Sequence, residues 1–252
     1  MALLELKGIC KSFPHAKGNL RVLEDLSFTV EEGEMVAVVG PSGCGKSTML
    51  RIVNGLMQPT AGQVLYKGRQ VDAINLECAL VFQSFALMPW LSVKANIEIG
   101  LEARGLPPAE REKRASVYID KVGLDGFEEA YPRELSGGMK QRVGLARALA
   151  VEPRVLLMDE PFSALDALTA ITLREELLDI WQAADMPVHN IIIVTHIIEE
   201  AVELADRILV LSSGPGRLVA DLKVDLPRPR DRRKESFNAL TDKVFSLIEE
   251  RA

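Results

Sequence analysis

A short glycine-rich segment carries the clearest chemical signal in the chain. Residues 40–47 read Gly-Pro-Ser-Gly-Cys-Gly-Lys-Ser and fit G-x-x-x-x-G-K-[ST], the pattern of a phosphate-binding loop. Glycines let backbone N–H groups surround phosphate oxygens closely, and a helix that follows adds the positive end of its dipole. We expect this segment to bind the phosphates of a nucleotide; the alternative is a glycine-rich turn between a strand and a helix.

The side chains at the end of this loop predict how phosphates and a magnesium ion are held. Lys46 is expected to reach the β- and γ-phosphates, Ser47 to bind Mg²⁺ and Thr48 to donate to the α-phosphate. The predicted nucleotide-binding set comprises Gly40, Pro41, Ser42, Gly43, Cys44, Gly45, Lys46, Ser47 and Thr48. Cys44 is also predicted to be the reactive thiol, because it lies in the loop beside a helix N-terminus; the alternative is a side chain that fills the core.

Two acidic residues follow a short apolar run later in the chain. Asp159 and Glu160 come directly after residues 155–158, which predict a buried strand. Because ligands bind at the carboxyl ends of strands in open α/β sheets, Asp159 is expected to bind Mg²⁺. Glu160 is expected to act as the general base on the attacking water. The alternative is a strand that ends at solvated acids, which the phosphate-binding loop in the same chain disfavours.

These residues require a scaffold of buried strands and intervening helices, and the apolar pattern predicts one. Short, uniformly apolar runs occur at 35–39, 155–158, 191–194 and 208–211, as is typical of strands buried on both faces of a parallel sheet. Helical apolar spacing separates them, and the first helix is predicted over 46–56. Alternation of strands and helices indicates an α/β fold.

Two segments depart from this alternation of buried strands and helices. At the N-terminus apolar and polar residues alternate, as at Leu4 and Leu6, which predicts antiparallel strands with one buried face. Residues 86–134 read as a helical insertion between core strands, with a charged surface helix at 109–122. Trp90, within this insertion, and Trp181 are interpreted as packing residues.

The last part of the chain, from Gly214 onward, reads as an appended tail. It contains several arginines at 228–234 and then a short amphipathic helix that begins near Phe237. The basic residues are interpreted as a solvated segment; the alternative is a segment that binds a lipid or a partner.

The amino-acid composition excludes or disfavours several classes of protein. The chain has 252 residues, of which 48% are hydrophobic and 26% charged, and this ordinary globular composition excludes intrinsic disorder. A net charge of −6 disfavours a protein that binds duplex nucleic acid over its surface, and we expect no nucleic-acid partner. The apolar runs are too short to span a membrane. Three scattered cysteines show neither zinc nor disulfide spacing, which predicts a reduced, cytosolic protein.

A further motif brings a family resemblance. Residues 135–142, Leu-Ser-Gly-Gly-Met-Lys-Gln-Arg, resemble the LSGGQ signature of ABC-type ATPases, with methionine where glutamine is most common. The matching residues are Leu135, Ser136, Gly137, Gly138 and Met139. In the family this patch binds the γ-phosphate of ATP held by the opposite subunit of a head-to-tail dimer, and a helix that begins here would present another anion-binding N-terminus.

The other motifs of the family follow in order. Gln83 matches the Q-loop, Asp166 closes the D-loop match at 163–166, and His196 matches the switch histidine. The resemblance implies catalytic roles for Gln83 and His196, with Gln83 also a ligand of Mg²⁺. Phe13 lies where the family places an aromatic residue against adenine, although tyrosine is more usual there.

The resemblance covers about residues 3–215 and implies a fold. That fold is a P-loop NTPase (RecA-like) core with an antiparallel β subdomain and an inserted helical subdomain. The expected domains are an ABC nucleotide-binding domain at 1–215, with its core at 1–85 and 151–215 and its helical subdomain at 86–150, and a C-terminal extension at 216–252.

The resemblance also implies cofactors and partners. ATP and Mg²⁺ are the expected cofactors, and the expected ATP-bound state is a homodimer. The family further implies two transmembrane permease subunits and an extracytoplasmic solute-binding protein. The chain would then lie in the cytoplasm, peripheral on the cytoplasmic face of the cell membrane.

Within the family, three segments resemble the nitrate/sulfonate/taurine importer branch: 82–93, 159–166 and 226–230. ATP-driven import of such a small anion is therefore the expected function. The alternative is the ATPase of an exporter or of a lipid-trafficking system. A non-transport ABC ATPase is less favoured, because the interval between Thr48 and Leu135 has no room for the long coiled coils of repair ATPases. The resemblance also gives the alternative for Trp90, which lies in the stretch that in the family faces the membrane partner.

Overall fold

The computed structural model describes residues 2–16, 18–183 and 186–249. The chain divides into two units. The second unit runs from Leu76 to His189, and the first comprises the described residues on either side of it.

Strands and helices alternate over residues 137–211, whereas runs of strands or of helices occur elsewhere. In chain order the strands are β1 (Ala2–His15), β2 (Gly18–Glu31), β3 (Met35–Val39), β4 (Ala61–Tyr66), β5 (Arg69–Gln70), β6 (Cys78–Val81), β7 (Val155–Asp159), β8 (Asn190–Thr195), β9 (Arg207–Leu211) and β10 (Leu218–Lys223). The helices are α1 (Lys46–Val53), α2 (Val93–Ala103), α3 (Pro108–Lys121), α4 (Gly137–Ala150), α5 (Ala167–Gln182), α6 (Ile198–Leu204) and α7 (Glu235–Glu249). The predicted α/β class is confirmed.

The first unit contains an antiparallel sheet with the strand order β2-β1-β4-β5. Leu6 of β1 lies opposite Phe28 of β2 and Val64 of β4, and all three side chains are buried. The alternation of apolar and polar residues therefore predicted correctly both the strands and the face of β1 that packs in the core.

The same unit contains strands with the order β10-β9-β3-β8, in which β3 pairs in parallel with both β8 and β9, and β10 pairs antiparallel with β9. Every residue of β3 and β8 is buried, as the apolar runs at 35–39 and 191–194 predict for these strands. Val39 and Thr195, the last residues of these two strands, are direct partners. Gly40 and His196, which come next in the chain, therefore lie at the same edge of the sheet.

In the second unit β6 and β7 pair in parallel, with Val81 opposite Met158. The helices α2, α3 and α4 pack against one another, which confirms the helical character of the predicted insertion. The predicted charged helix at 109–122 corresponds to α3, which begins at Pro108 because proline lacks the N–H that a first helical turn leaves unpaired.

The first helix is shorter than its apolar spacing predicts. The prediction ran to residue 56, whereas α1 ends at Val53 with Asn54 as its C-cap. Gly55 follows with φ +81°, and a Cβ atom there would lie 2.1 Å from the carbonyl oxygen of Ala73. A left-handed glycine directly after the C-cap is a common helix stop, and here the neighbouring backbone leaves space only for glycine.

Two sequence interpretations are wrong. Trp90 does not pack in the core, since 70% of its surface is exposed. The basic tail is only partly solvated, because the side chains of Arg228 and Arg230 donate hydrogen bonds to backbone carbonyls at the end of α6. The amphipathic helix of the tail is confirmed as α7, which buries Phe237 and Val244. Within the three described ranges, no helix is long and apolar enough to cross a membrane.

Candidate nucleotide site

The glycine-rich loop joins β3 to α1 in the first unit, as the sequence predicts. Gly43 and Gly45 have φ +80° and φ +99°, a backbone conformation that other residues rarely adopt. At Gly45 a Cβ atom would also lie 2.6 Å from Cδ2 of Leu23. The loop therefore needs glycine at Gly45 both for its backbone conformation and for its packing.

Lys46 and its neighbours make this loop suitable for an anion. The Lys46 ammonium donates to the carbonyl oxygens of Gly40 at 2.8 Å and Pro41 at 3.1 Å, so its charge lies within the loop. The first turn of α1 contains Lys46, Ser47 and Thr48, and the positive end of the helix dipole adds to this cation. Ser42 and Gly43 are exposed, and a ligand has access to this part of the loop.

Cys44 differs from its prediction as an accessible, reactive thiol. Its exposed fraction is 0%, and its carbonyl oxygen lies 2.1 Å from the position that a Cβ atom at Gly216 would occupy. The chain after β9 thus packs directly on the loop backbone at Cys44. The alternative interpretation of Cys44, a small side chain that fills the core, fits the structure.

Phe13 and His196 also belong to the first unit. Phe13 lies on β1 and is half-buried, with the Lys11 ammonium 5.2 Å from its ring centroid. His196 follows the last residue of β8, Thr195, whose hydroxyl donates to the buried carboxylate of Glu200 at 2.8 Å. The structure thus brings His196 to the sheet edge from which the phosphate loop begins. The adenine-stacking role of Phe13 stays a prediction.

In the second unit the predicted Q-loop and general base are in contact. The side-chain amide of Gln83 donates to a carboxylate oxygen of Glu160 at 3.1 Å and to the Ser163 hydroxyl at 3.2 Å. Asp159 is the last residue of β7 and is buried, with an exposed fraction of 9%. Glu160 has φ +46°, a strained conformation for a residue with a side chain and one that is frequent at functional sites.

Ser163, the first residue of the predicted D-loop match at 163–166, belongs to this cluster. Besides accepting from Gln83, its hydroxyl donates to the Glu160 carbonyl at 3.0 Å. Its place three residues after Glu160, in a turn, is a sequence signal for this local contact in addition to the D-loop match. Ser163 therefore connects the general-base candidate to the segment that leads to Asp166.

The signature residues form the start of α4. Ser136 is the N-cap of this helix, and its hydroxyl accepts from the Met139 N–H at 3.2 Å, as expected for a helix that begins at the signature. Ser136 and Gly137 are exposed. A Cβ atom at Gly138 would lie 2.5 Å from Cγ2 of Thr169, so α4 approaches α5 closely at this glycine. The N–H groups of the first turn of α4 therefore form an accessible helix N-terminus.

Asp166 is the N-cap of α5 and has a clear structural role. Its carboxylate accepts from the Thr169 N–H at 3.1 Å and from the Thr169 hydroxyl at 2.6 Å. These hydrogen bonds, above all that from the hydroxyl, lower the pKa of Asp166 below its usual value. Asp166 is therefore charged near neutral pH and fixed at the start of α5.

The described residues include no cluster of three His, Cys, Asp or Glu side chains that could bind a metal by themselves. Ser47, Gln83 and Asp159 offer oxygen donors, the ligand type that Mg²⁺ prefers, and Mg²⁺ is commonly bound through few protein ligands together with substrate phosphates. Ser47 of the first unit, and Gln83 and Asp159 of the second, thus each have donor chemistry that suits Mg²⁺.

The fold and the loop define a P-loop nucleotide-binding protein, and comparison with known proteins specifies its family. The model of the ABC transporter family matches residues 23–163. A nitrate import ATP-binding protein of Synechocystis is 44% identical over 97% of this chain and 94% of its own length. An aliphatic sulfonates import ATP-binding protein of Bacillus licheniformis is 44% identical over 95% of this chain and 91% of its own length.

A solved structure supports the same assignment. The dimeric, post-hydrolysis state of an ATP-binding cassette with bound ADP and Pi superposes with a TM-score of 0.78 and 31% identity, over 89% of this chain and 100% of the other. The chain belongs to the ABC transporter family. It is an ATP-binding cassette of the kind that hydrolyses ATP to power transport.

Proposed function

We propose that this ATPase powers the import of a small oxyanion such as nitrate, a sulfonate or taurine. The observation that carries the proposal is the 44% identity to nitrate and sulfonate import ATP-binding proteins over nearly the whole chain. The solute binds elsewhere in such a system, so the ATPase itself supplies free energy rather than recognition.

MgATP is the proposed substrate complex. The loop at 40–47 and Thr48 hold the phosphates, with Lys46 at the β- and γ-phosphates, and Phe13 stacks against adenine. Ser47, Asp159 and Gln83 are the proposed oxygen donors to Mg²⁺. The positive-φ glycines, the ammonium of Lys46 within the loop and the helix N-terminus of α1 support the phosphate site.

Glu160 is the proposed general base. It takes a proton from the attacking water, and Gln83 holds its carboxylate in one orientation through the 3.1 Å hydrogen bond. His196 is the proposed switch residue at the γ-phosphate. Its place at the sheet edge next to the start of the phosphate loop supports this role.

A homodimer is the proposed ATP-bound state. Ser136, Gly137 and the N-terminus of α4 then bind the γ-phosphate of the ATP held by the other copy, and Asp166 holds the adjoining D-loop. The exposure of Ser136 and Gly137 supports this arrangement, because a patch that acts on a second molecule must be accessible. ATP joins the two chains, and its hydrolysis releases them.

Two transmembrane permease subunits and an extracytoplasmic solute-binding protein are the proposed partners. The chain would bind the permease from the cytoplasmic face of the membrane. The exposed indole of Trp90 supports a docking surface in the segment that follows Gln83, because a tryptophan exposed over 70% of its surface is typical of an interface anchor.

Growth of a deletion strain tests the proposed import. We expect a strain that lacks this gene to lose growth on one of nitrate, an aliphatic sulfonate or taurine as its sole nitrogen or sulfur source. Growth on ammonium and sulfate should remain normal. The wild-type gene should restore growth, and Lys46→Ala should not. Normal uptake of all three anions by the deletion strain, together with a defect in export or in lipid distribution, would support the exporter alternative instead.

A further inference from the structure

The side chains of Arg228 and Arg230 cap the C-terminus of α6. The acceptors for Arg230 are the carbonyl oxygens of Val202 at 2.8 Å, Glu203 at 3.3 Å and Ala205 at 2.5 Å, and the acceptor for Arg228 is that of Leu204. A helix leaves its last carbonyls without partners inside the helix. Arg228 and Arg230 supply those partners here, and their charge also suits the negative end of the helix dipole.

Arg230 is a half-buried cation. Burial, and secondarily the charge of Arg228, lowers the pKa of Arg230 to about 10, so the side chain still carries its proton at neutral pH. A charged donor that is partly removed from water makes stronger hydrogen bonds than an exposed one. The end of α6 is therefore held firmly, unlike a helix end that is covered by a mobile surface side chain.

The segment that carries these arginines is itself anchored in the first unit. We define the C-terminal segment as residues 224–249. Its first residue, Val224, donates its N–H to the Asp206 carbonyl at 2.9 Å, and Phe237 and Val244 of α7 have exposed fractions of 2% and 0%. The helix α7 packs against α6 and β9. The C-terminal segment thus has the buried apolar contacts that a rigid support needs.

The other end of α6 determines the backbone around His196. Glu200 of α6 and Thr195 have exposed fractions of 2% and 1%, and the Thr195 hydroxyl donates to the Glu200 carboxylate at 2.8 Å. The same hydroxyl accepts from the Ile197 N–H at 3.0 Å. His196 is the residue between Thr195 and Ile197, so a shift of α6 would move the backbone on both sides of it.

The C-terminal segment also lines a cleft together with His196. A cleft in the first unit is lined on one side by His196–Glu199 and on the other by three residues of α7, namely Thr241, Asp242 and Phe245. Phe245 is 50% exposed and borders this cleft. The C-terminal segment thus lies at both ends of α6: its arginines bind the last carbonyls of the helix, and α7 lines the cleft near His196.

We propose that the C-terminal segment positions His196 for ATP hydrolysis, with Arg230 as the principal positioning residue. The inference rests on the proposed function, because it assumes that His196 acts at the γ-phosphate. Arg230 does not contact ATP in this scheme. It fixes α6, and α6 fixes Thr195 and hence the imidazole.

Steady-state phosphate release by the full-length protein with MgATP tests the proposal. Arg230→Met should lower kcat by about threefold to thirtyfold, the range of modest coupling energies, with little change in the KM for ATP. The matched control is Arg233→Met, since Arg233 is 90% exposed and pairs with Asp231 inside the same segment. Assays are made well below the unfolding temperature, with the folded fraction checked by circular dichroism.

A double mutant separates positioning from general destabilisation. His196→Ala should lower kcat strongly, and adding Arg230→Met should then cause no further loss, because the residue to be positioned is gone. An additive loss would overturn the proposal. If His196→Ala alone retains full activity, the proposed role of His196 fails. If it loses activity while Arg230→Met does not, only the present inference fails.

A surface variant keeps the test decisive if Arg230→Met does not fold. Phe245→Ala removes a half-exposed side chain beside His196 and should lower kcat by about twofold or more without raising KM. Lys243→Ala, an exposed position on the same helix outside the cleft, is its control. If Arg230→Met does not fold, wild-type kcat for Phe245→Ala would overturn the proposal.

Discussion

The side-chain amide of Gln83 donates a hydrogen bond to the Glu160 carboxylate at 3.1 Å. The two residues follow neighbouring parallel strands, β6 and β7, whose last partners are Val81 and Met158. The sheet therefore brings together an amide and a carboxylate that are distant in the chain. Because the Gln83 amide is neutral, this contact orients the Glu160 carboxylate without placing a positive charge on its hydrogen-bond partner. That suits a group that must accept a proton from water.

This contact makes Glu160→Gln the most direct test of the general base. The variant should bind ATP normally, because glutamine keeps the shape of the side chain and can still accept from Gln83. Turnover should fall by about 10²–10⁴-fold, the usual contribution of a general base. ATP-bound dimers should then accumulate on gel filtration with ATP and Mg²⁺.

Glu152→Gln is the control for this prediction. Glu152 is exposed in the same unit and has φ +51°, close to the φ +46° of Glu160, so the same substitution is made on a similar backbone. Its turnover should match that of the wild type. Near-normal hydrolysis by Glu160→Gln would remove Glu160 from the role of base.

Ser136→Arg should abolish hydrolysis while the isolated chain still binds ATP. A bulky cation at this exposed N-cap would prevent α4 from closing on the γ-phosphate held by a second copy. We expect a loss of turnover of about 100-fold or more, the scale of losing an anion-stabilising donor. Titration with a fluorescent nucleotide measures the binding.

Ser92→Arg is matched to this variant, because Ser92 is the N-cap of α2 and accepts from the Ala95 N–H as Ser136 does from Met139. Each substitution removes one helix cap, at a cost of about 1 kcal/mol. Only Ser136→Arg should stop hydrolysis. Equal loss of nucleotide binding by the Ser136 variant would indicate that this serine acts in its own chain's site.

Two glycines of the phosphate loop separate backbone strain from packing. Gly43→Ala and Gly45→Ala both place a side chain at positive φ, which costs about 1–2 kcal/mol. At Gly45 the new Cβ also meets Cδ2 of Leu23 at 2.6 Å, whereas no described heavy atom lies within 4 Å of a Cβ at Gly43. Urea unfolding should therefore show Gly45→Ala to be less stable by about a further 1–3 kcal/mol. Equal stability of the two variants would contradict the packing argument.

Most of the scaffold follows from local pattern. Residues 35–39 are predicted as a buried strand and form β3, because five consecutive apolar residues before a glycine loop suit only a strand covered on both faces. The motif residues could be identified because their chemistry depends on residue type and order. Ser136 at a helix start and His196 after a buried strand are both found as predicted.

Other features depend on contacts between distant segments and have no local signature. The local sequence around Arg228 and Arg230 is the same whether their side chains are solvated or bound to helix carbonyls. The sequence therefore could not reveal their contact with α6. The loop around the buried Cys44 likewise contacts Gly216, which is far along the chain. Tertiary packing decided these outcomes, and local propensity did not.

The three cysteines provide the last prediction. Cys44 and Cys78 have exposed fractions of 0% and 7%, whereas Cys10 on β1 is half-buried and its sulfur accepts from the Asp25 N–H at 3.4 Å. A maleimide should therefore label Cys10 first under native conditions. Cys44 should react more than about tenfold more slowly, because its labelling requires a local opening that costs at least about 1.4 kcal/mol.

Peptide mapping after brief labelling measures the order of reaction. Cys10→Ser should abolish the fast phase, and labelling in denaturant should make all three thiols equivalent. Fast labelling should leave ATPase activity largely intact, since Cys10 lies outside the phosphate loop. Label that appears first on Cys44, with loss of activity, would mean that the loop opens far more readily than its packing against Gly216 indicates.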